Sequence, residues 1–259
     1  MPPEDQAERD EELAGGNEQG LMSHLLELRS RLLKSVVAFL VLLLAFVPFA
    51  NRLYTLLAEP LIRRLPAGAH MVAIEVASPF LTPLKLAAML ALLLAMPVVL
   101  YQLWAFVSPG LYRHEKRLAR PLLVAAVLLF FVGCAFAYFL VLPNVFRFLT
   151  MIVPQGVEMM TDISHYLSFV MMLLFAFGLC FEVPVAVVVL AAIGVVDVQA
   201  LRKGRGYVLV GCFVVAAVLT PPDVLSQIML ALPMYALYEA GVLASRLLVG
   251  SRKRSTGQD

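Results

Sequence analysis

The sequence predicts an all-α, polytopic membrane protein with six transmembrane helices. Three observations carry this prediction. Of the 259 residues 61% are hydrophobic, the mean hydropathy is +0.88, and apolar runs of spanning length follow one another almost without a break. A chain this apolar is not a soluble domain. Its length alone would allow two soluble domains, but nearly contiguous spans make one bundle, placed at residues 21–249.

Residues 1–20 hold seven acids against one arginine, a Gly-Gly pair and little apolar surface. They cannot bury enough area to fold and are expected to form a disordered acidic tail. A cleavable signal peptide needs a positive segment followed directly by an apolar core, which this is not. Leu21, Leu25, Leu28 and Leu32 then recur at helical spacing, an amphipathic segment leading into the first span.

A spanning helix needs roughly 20 apolar residues to cross about 30 Å of hydrocarbon. Leu32–Ala50, Leu86–Val107, Pro121–Leu142 and Tyr166–Ile193 meet that length. Tyr207–Leu219 is 13 residues and Val224–Val249 is longer. Pro221-Pro222 between them forces a tight turn, so they pair as a hairpin and complete six crossings. The short fifth span predicts a locally thinned bilayer or shielding by a partner. Residues 250–259 form a short basic tail.

Basic residues orient the spans. One side collects fourteen of them, from Arg29, Arg31 and Lys34 through Arg113, Lys116, Arg117, Arg120, Arg202, Lys203, Arg205 and Arg246 to Arg252, Lys253 and Arg254. The other side has five: Arg52, Arg63, Arg64, Lys85 and Arg147. Both termini are therefore expected in the cytoplasm. The outer connections are Asn51–Leu84, Pro143–His165 and the Pro-Pro turn, and the first of these should form short helices packed over the outer face.

Pro48, Pro97, Pro184 and Pro233 fall within spans, where proline frees a carbonyl and kinks the helix. Gly133 to Ala137 offers a small-residue face expected to pack internally rather than to dimerise. Cys134, Cys180 and Cys212 lie in apolar runs with neither disulfide nor metal spacing.

Four carboxylates draw notice. Glu27 and Glu115 sit in the two most cationic stretches, Ser23 to Arg31 and Leu111 to Arg117, on the same predicted side. Each is open to the plain reading of a surface acid neutralised by neighbours; together they form a surface suited to an arginine-bearing partner. Glu182 lies inside the fourth span two residues before Pro184, where a charge marks a functional site by default. Glu239 in the last span is a weaker case. Asp223 is an ordinary N-cap position. Asp162, Ser164 and His165 mark a helix start rather than a triad, because near neighbours on one segment rarely reach triad geometry. No zincin, nucleophile-elbow or phosphate-loop motif occurs, and no enzyme is expected.

Several motifs together resemble the TatC family, the polytopic subunit of the bacterial twin-arginine protein translocase. They are Ser23-His-Leu-Leu-Glu-Leu-Arg-Ser-Arg31, Val76-Ala-Ser-Pro-Phe80, Tyr101-Gln-Leu-Trp-Ala-Phe106, Pro109-Gly-Leu-Tyr-Arg-His-Glu-Lys116, Phe181-Glu-Val-Pro184 and Leu219-Thr-Pro-Pro-Asp223. The resemblance runs from about Leu21 to Leu248. It implies a curved, glove-like bundle with a structured periplasmic cap in the bacterial inner membrane. It also implies a receptor for twin-arginine signal peptides on folded cargo, without a cofactor, driven by the proton-motive force. By position it assigns Glu27, Arg29, Phe106, Tyr112, Glu115 and Lys116 to signal-peptide binding. Glu182 matches a buried acid of the concave face, Pro60 and Asp223 sensitive outer positions, and Thr220 and Gln227 a polar cluster where single-span partners dock. The implied partners are those single-span subunits, TatA and TatB, other copies of the chain and membrane lipid, with no nucleic acid. The rival reading is a secondary transporter or channel for small solutes, but spans one to three and four to six show no matching placement of prolines or charges.

Overall fold

A computed structural model describes residues 3–62, 71–107, 116–152, 161–219 and 224–255. These form α1 (Pro3–Phe46), α2 (Ala50–Ile62), β1 (Met71–Val72), α3 (Ser78–Val107), α4 (Lys116–Phe136), α5 (Leu142–Ile152), β2 (Thr161–Asp162), α6 (Ile163–Ala192), α7 (Val198–Lys203), α8 (Arg205–Leu219) and α9 (Val224–Ser255). Five stretches are long and apolar enough to cross a membrane: Leu25–Leu56, Ser78–Phe106, Arg120–Arg147, Ile163–Ala192 and Gln227–Leu247. The sixth, α8, has 15 residues and would reach about 22 Å at 1.5 Å per residue. The six-span fold follows, short fifth helix included.

α1 runs back to Pro3, through the acidic stretch whose composition predicts disorder. Ala, Glu and Leu are good helix formers, and a helix nucleated in the apolar segment extends into them at little further cost. At its other end Pro48 withholds an N–H, and the chain tightens into a 3₁₀ turn at Val47–Phe49 before α2. α2 packs on α3, the expected short helix of the first outer connection.

Two boundaries differ from the sequence expectation. α3 starts at Ser78, eight residues before the expected Leu86: Pro79 falls in its first turn, where proline is tolerated, and Pro83 is carried inside the helix. Ser78 and Thr82 are buried there and share a hydroxyl hydrogen bond of 3.3 Å. The expected loop beginning at Pro143 is helical up to Ile152. The helix survives this proline by widening into a π-turn over Ala137–Val141. The Asn144 side-chain amide donates to the Leu140 carbonyl at 2.9 Å.

The packing order places α1 against α3, α3 against α4 and α6, α9 against α6, and α8 against α9. α1 and α8 thus flank the array. Within the α1 span no residue of the most apolar stretch is buried, and Leu32, Leu33, Val41 and Leu44 are all more than 60% exposed, a lipid-facing helix. The principal core joins Val170, Leu173 and Phe177 of α6 to Ala137, Val141, Cys212, Ala216, Leu230 and Ala231. A second gathers Met96, Leu100 and Trp104 of α3 with Ala126, Phe130 and Val185.

Glycine permits the closest approaches. A Cβ on Gly133 would lie 2.6 Å from the Phe177 carbonyl oxygen, and one on Gly178 would lie 2.6 Å from the Phe130 ring. α4 and α6 therefore seat each other's aromatic residues at reciprocal glycines. The small face Gly133 to Ala137 packs internally, as expected.

At the α2 end of the spans β1 and β2 pair in parallel, Met71 with Thr161 and Val72 with Asp162. Asp162 caps α6: its carboxylate accepts from the His165 backbone N–H at 3.3 Å, from the His165 ring Nδ1 at 2.6 Å and from the Ile74 N–H at 3.4 Å. Ser164 takes Lys85 Nζ at 3.3 Å instead of joining His165, so the three residues make a helix start and not a triad. Burial opposes ionisation of Asp162, but its hydrogen bonds with His165 and Ile74 outweigh it and lower its pKa. A lowered native pKa gives stability that is present above the ordinary carboxylate range and lost as pH falls through the native value. Thermal melts of purified protein between pH 7 and pH 3 should show this loss, and Asp162→Asn should flatten that part of the profile.

Candidate functional site

The predicted site residues fall at two ends of the array and one point between. α1 and α3 are consecutive packed spans, so the start of the first at Leu25 and the end of the second at Phe106 lie on one side. Glu27, Arg29 and Phe106 share that end, and α4 begins there at Lys116. Tyr112 and Glu115 belong to residues 108–115, between α3 and α4, and lie outside the described residues, as does the side chain of Lys116.

Glu27 is the best-defined of these groups. Its side chain is 36% exposed, and its Oε1 accepts from Arg31 Nε at 3.0 Å and Nη2 at 2.5 Å. The i, i+4 spacing brings the two side chains onto one helix face, a signal that the sequence itself contains. Arg29 is exposed. Leu25, Leu28 and Leu32 around them are exposed too, on a face that meets lipid rather than the core. The site is thus a carboxylate at the membrane surface that already receives a guanidinium, flanked by free cationic charge and apolar surface.

Glu182 stands alone inside α6. Its Oε1 is buried without a hydrogen-bond partner among the described residues. Pro184 meets α9 at a glycine, where a Cβ on Gly241 would lie 2.7 Å from Pro184 Cα. Glu239, by contrast, is engaged: it accepts from Arg205 Nη2 at 2.6 Å and from Tyr235 O–H at 2.9 Å. Tyr238 O–H donates to the Leu201 carbonyl at 2.6 Å. These bonds fasten α7 and the start of α8 to α9. Arg205 and Glu239 lie 34 residues apart, so no local pattern in the sequence announces the pair.

At the opposite end, Gln227 Nε2 donates to the Phe213 carbonyl at 3.0 Å, tying α9 to α8. Thr220 and Asp223 lie outside the described residues, and Pro60 is described only as backbone of α2. Gln227→Leu should loosen the hairpin by about 1 kcal/mol, the worth of one hydrogen bond. Faster proteolysis or hydrogen exchange in residues 205–235 would record it.

The family model of Sec-independent protein translocase protein (TatC) matches residues 23–233. The Sec-independent protein translocase protein TatC of Escherichia coli strain K12 is 56% identical over 232 residues, covering 90% of this chain and 90% of that protein. The protein of the same name from Azotobacter chroococcum mcd 1 is 58% identical over 222 residues, covering 86% and 87%. Among solved structures, a chain described as a crystal structure of the twin arginine translocase receptor TatC superposes with a TM-score of 0.76 at 36% identity, covering 86% of this chain and 98% of its own. A second one, in DDM, gives 0.78 at 36% identity.

Proposed function

The chain belongs to the TatC family of Sec-independent protein translocase proteins, and from that premise we propose that it is the signal-peptide receptor and core subunit of a twin-arginine translocase. In this reading it binds the Arg-Arg pair of signal peptides on folded cargo at the cytoplasmic face of the bacterial inner membrane. It assembles with single-span TatA and TatB subunits and with further copies of itself, and cargo export draws on the proton-motive force. It is a transport subunit, not a catalyst.

One observation carries the reading: the Glu27 carboxylate, a third exposed at the end of the lipid-facing span of α1, accepts two N–H groups of a guanidinium. A carboxylate can take arginine's rigid fork through paired hydrogen bonds, whereas lysine offers only a flexible point charge. Glu115 supplies the second acid of the proposed site, with Arg29, Phe106, Tyr112 and Lys116 around the pair. The many cations on this face repel a positive group that is not correctly seated. The same excess of basic residues, fourteen against five, supports cytoplasmic termini.

Glu182 and the short α8 suggest where the single-span partners sit. A buried, unpaired carboxylate in a span calls for a polar group from another chain, and a helix of 15 residues leaves hydrophobic mismatch that a partner can cover. Pro60, Thr220, Asp223 and Gln227 complete the proposed partner surface at the outer end. Complementation tests the whole reading: in a bacterium lacking its own TatC, this chain should restore export of a folded reporter carrying a twin-arginine signal. Accumulated, membrane-inserted protein with no export in the presence of its own partner subunits contradicts it.

A further inference from the structure

We infer that Arg31 is an internal placeholder for the signal peptide's arginine, occupying the Glu27 carboxylate until a signal displaces it. The inference rests on the proposed role of Glu27 and names the residue that competes for it. Arg31 reaches back one helical turn and gives both Nε and Nη2 to the same oxygen, Oε1. A paired fork from an incoming arginine needs both Glu27 oxygens, so it cannot form fully while Arg31 holds Oε1. The remaining oxygen of Glu27 accepts no hydrogen bond among the described residues. Arg31 is the less exposed partner, at 22% against 36% for Glu27, so the stand-in is held back and the carboxylate faces outward.

The physical consequence is specific. An exposed i, i+4 ion pair is weak, so Arg31 yields to a ligand while keeping the carboxylate from stray cations. A competitor for one acceptor weakens each ligand to the extent that the ligand depends on that acceptor. Removing Arg31 should therefore tighten binding of the Arg-Arg signal more than that of the Lys-Lys signal. If Arg31 were instead a contact of the bound signal, its loss would weaken binding.

The test is equilibrium binding of fluorescent signal peptides, Arg-Arg and Lys-Lys, to the full-length chain in lipid nanodiscs at 0.15 M salt. Arg31→Gln should tighten the Arg-Arg peptide by about twofold, the factor that such a pair is worth, and the Lys-Lys peptide less. Arg31→Lys, which keeps the charge but loses the fork, should give a smaller gain and provides a second variant should the first fold poorly. Lys34→Gln removes the same charge from an exposed position on α1 and should change nothing. In a Glu27→Gln background the Arg31 substitution should have no further effect. Weaker or unchanged Arg-Arg binding in Arg31→Gln, or an equal gain for both peptides, overturns the placeholder. Glu27→Gln that binds Arg-Arg peptide as tightly as the parent chain instead brings down the receptor role of Glu27 itself, which separates the two failures.

Discussion

Glu27→Ala and Glu115→Ala should each weaken binding of an Arg-Arg signal peptide by about 10- to 100-fold, and binding of its Lys-Lys variant far less. The magnitude follows from charge-assisted hydrogen bonds, worth roughly 1.5–3 kcal/mol each, when one carboxylate of a two-acid site is lost. The selectivity follows from geometry: an alanine removes the planar acceptor that suits a fork, and lysine used that feature least. Titration of both peptides against each variant in nanodiscs measures the effect. Equal losses for both peptides would mean that the carboxylates act as bulk negative charge and do not read the guanidinium.

The second large effect concerns the helix contacts that hold the array together. Gly133→Val should destabilise the protein by about 3 kcal/mol or more, at the upper end of what overpacking costs. A Cβ on Gly133 would meet the Phe177 carbonyl oxygen at 2.6 Å and Phe181 Cγ at 2.9 Å. The first is backbone and cannot swing aside, so α4 and α6 must separate, and the Phe130–Gly178 contact opens with them. Gly241→Val should act similarly by pushing α9 from Pro184, and it would shift α6 beside Glu182. Gly211 is the matched control: nothing lies within 4 Å of its Cβ position, so Gly211→Ala should gain helix propensity, up to about 1 kcal/mol. Thermal melts in detergent, followed by size exclusion, separate these outcomes. A Gly133→Val protein as stable as the parent would mean that α4 and α6 do not approach so closely.

Much of this fold is legible because the bilayer imposes simple arithmetic. Long apolar runs marked the spans, Pro221-Pro222 fell between the end of α8 and the start of α9, and Asp162 followed three residues later by His165 marked the start of α6. The places where sequence reasoning fell short involve proline. Pro143 read as the end of a helix, yet the chain absorbs it in a π-turn with Asn144 supplying a hydrogen bond. Pro79 and Pro83 read as part of the first outer connection and its short helices, yet both belong to the long helix α3.

The site was legible in a different measure. The acids stood out by their surroundings: Glu27 in a basic segment, Glu182 in an apolar one. Arg31, four residues after Glu27, was legible too, but partners on other helices were not. Arg205 with Glu239 and Gln227 with the Phe213 carbonyl are pairings between helices, set by how α8 lies on α9 and by no periodicity within either. Glu239, the weaker case in the sequence, is held by Arg205 and Tyr235. Glu182 has no hydrogen-bond partner for its buried oxygen among the described residues, the difference on which its proposed partner role rests.

The central claim is that the end of the array holding Glu27 and Glu115 reads an arginine pair. Photo-crosslinking tests it most directly, with the crosslinker placed beside Glu115 in membrane-embedded protein that has its partner subunits present. An Arg-Arg signal peptide should crosslink there, and the product should vanish when the pair is changed to Lys-Lys. A folded sample that gives no crosslink, or crosslinks both peptides equally, would contradict the receptor account.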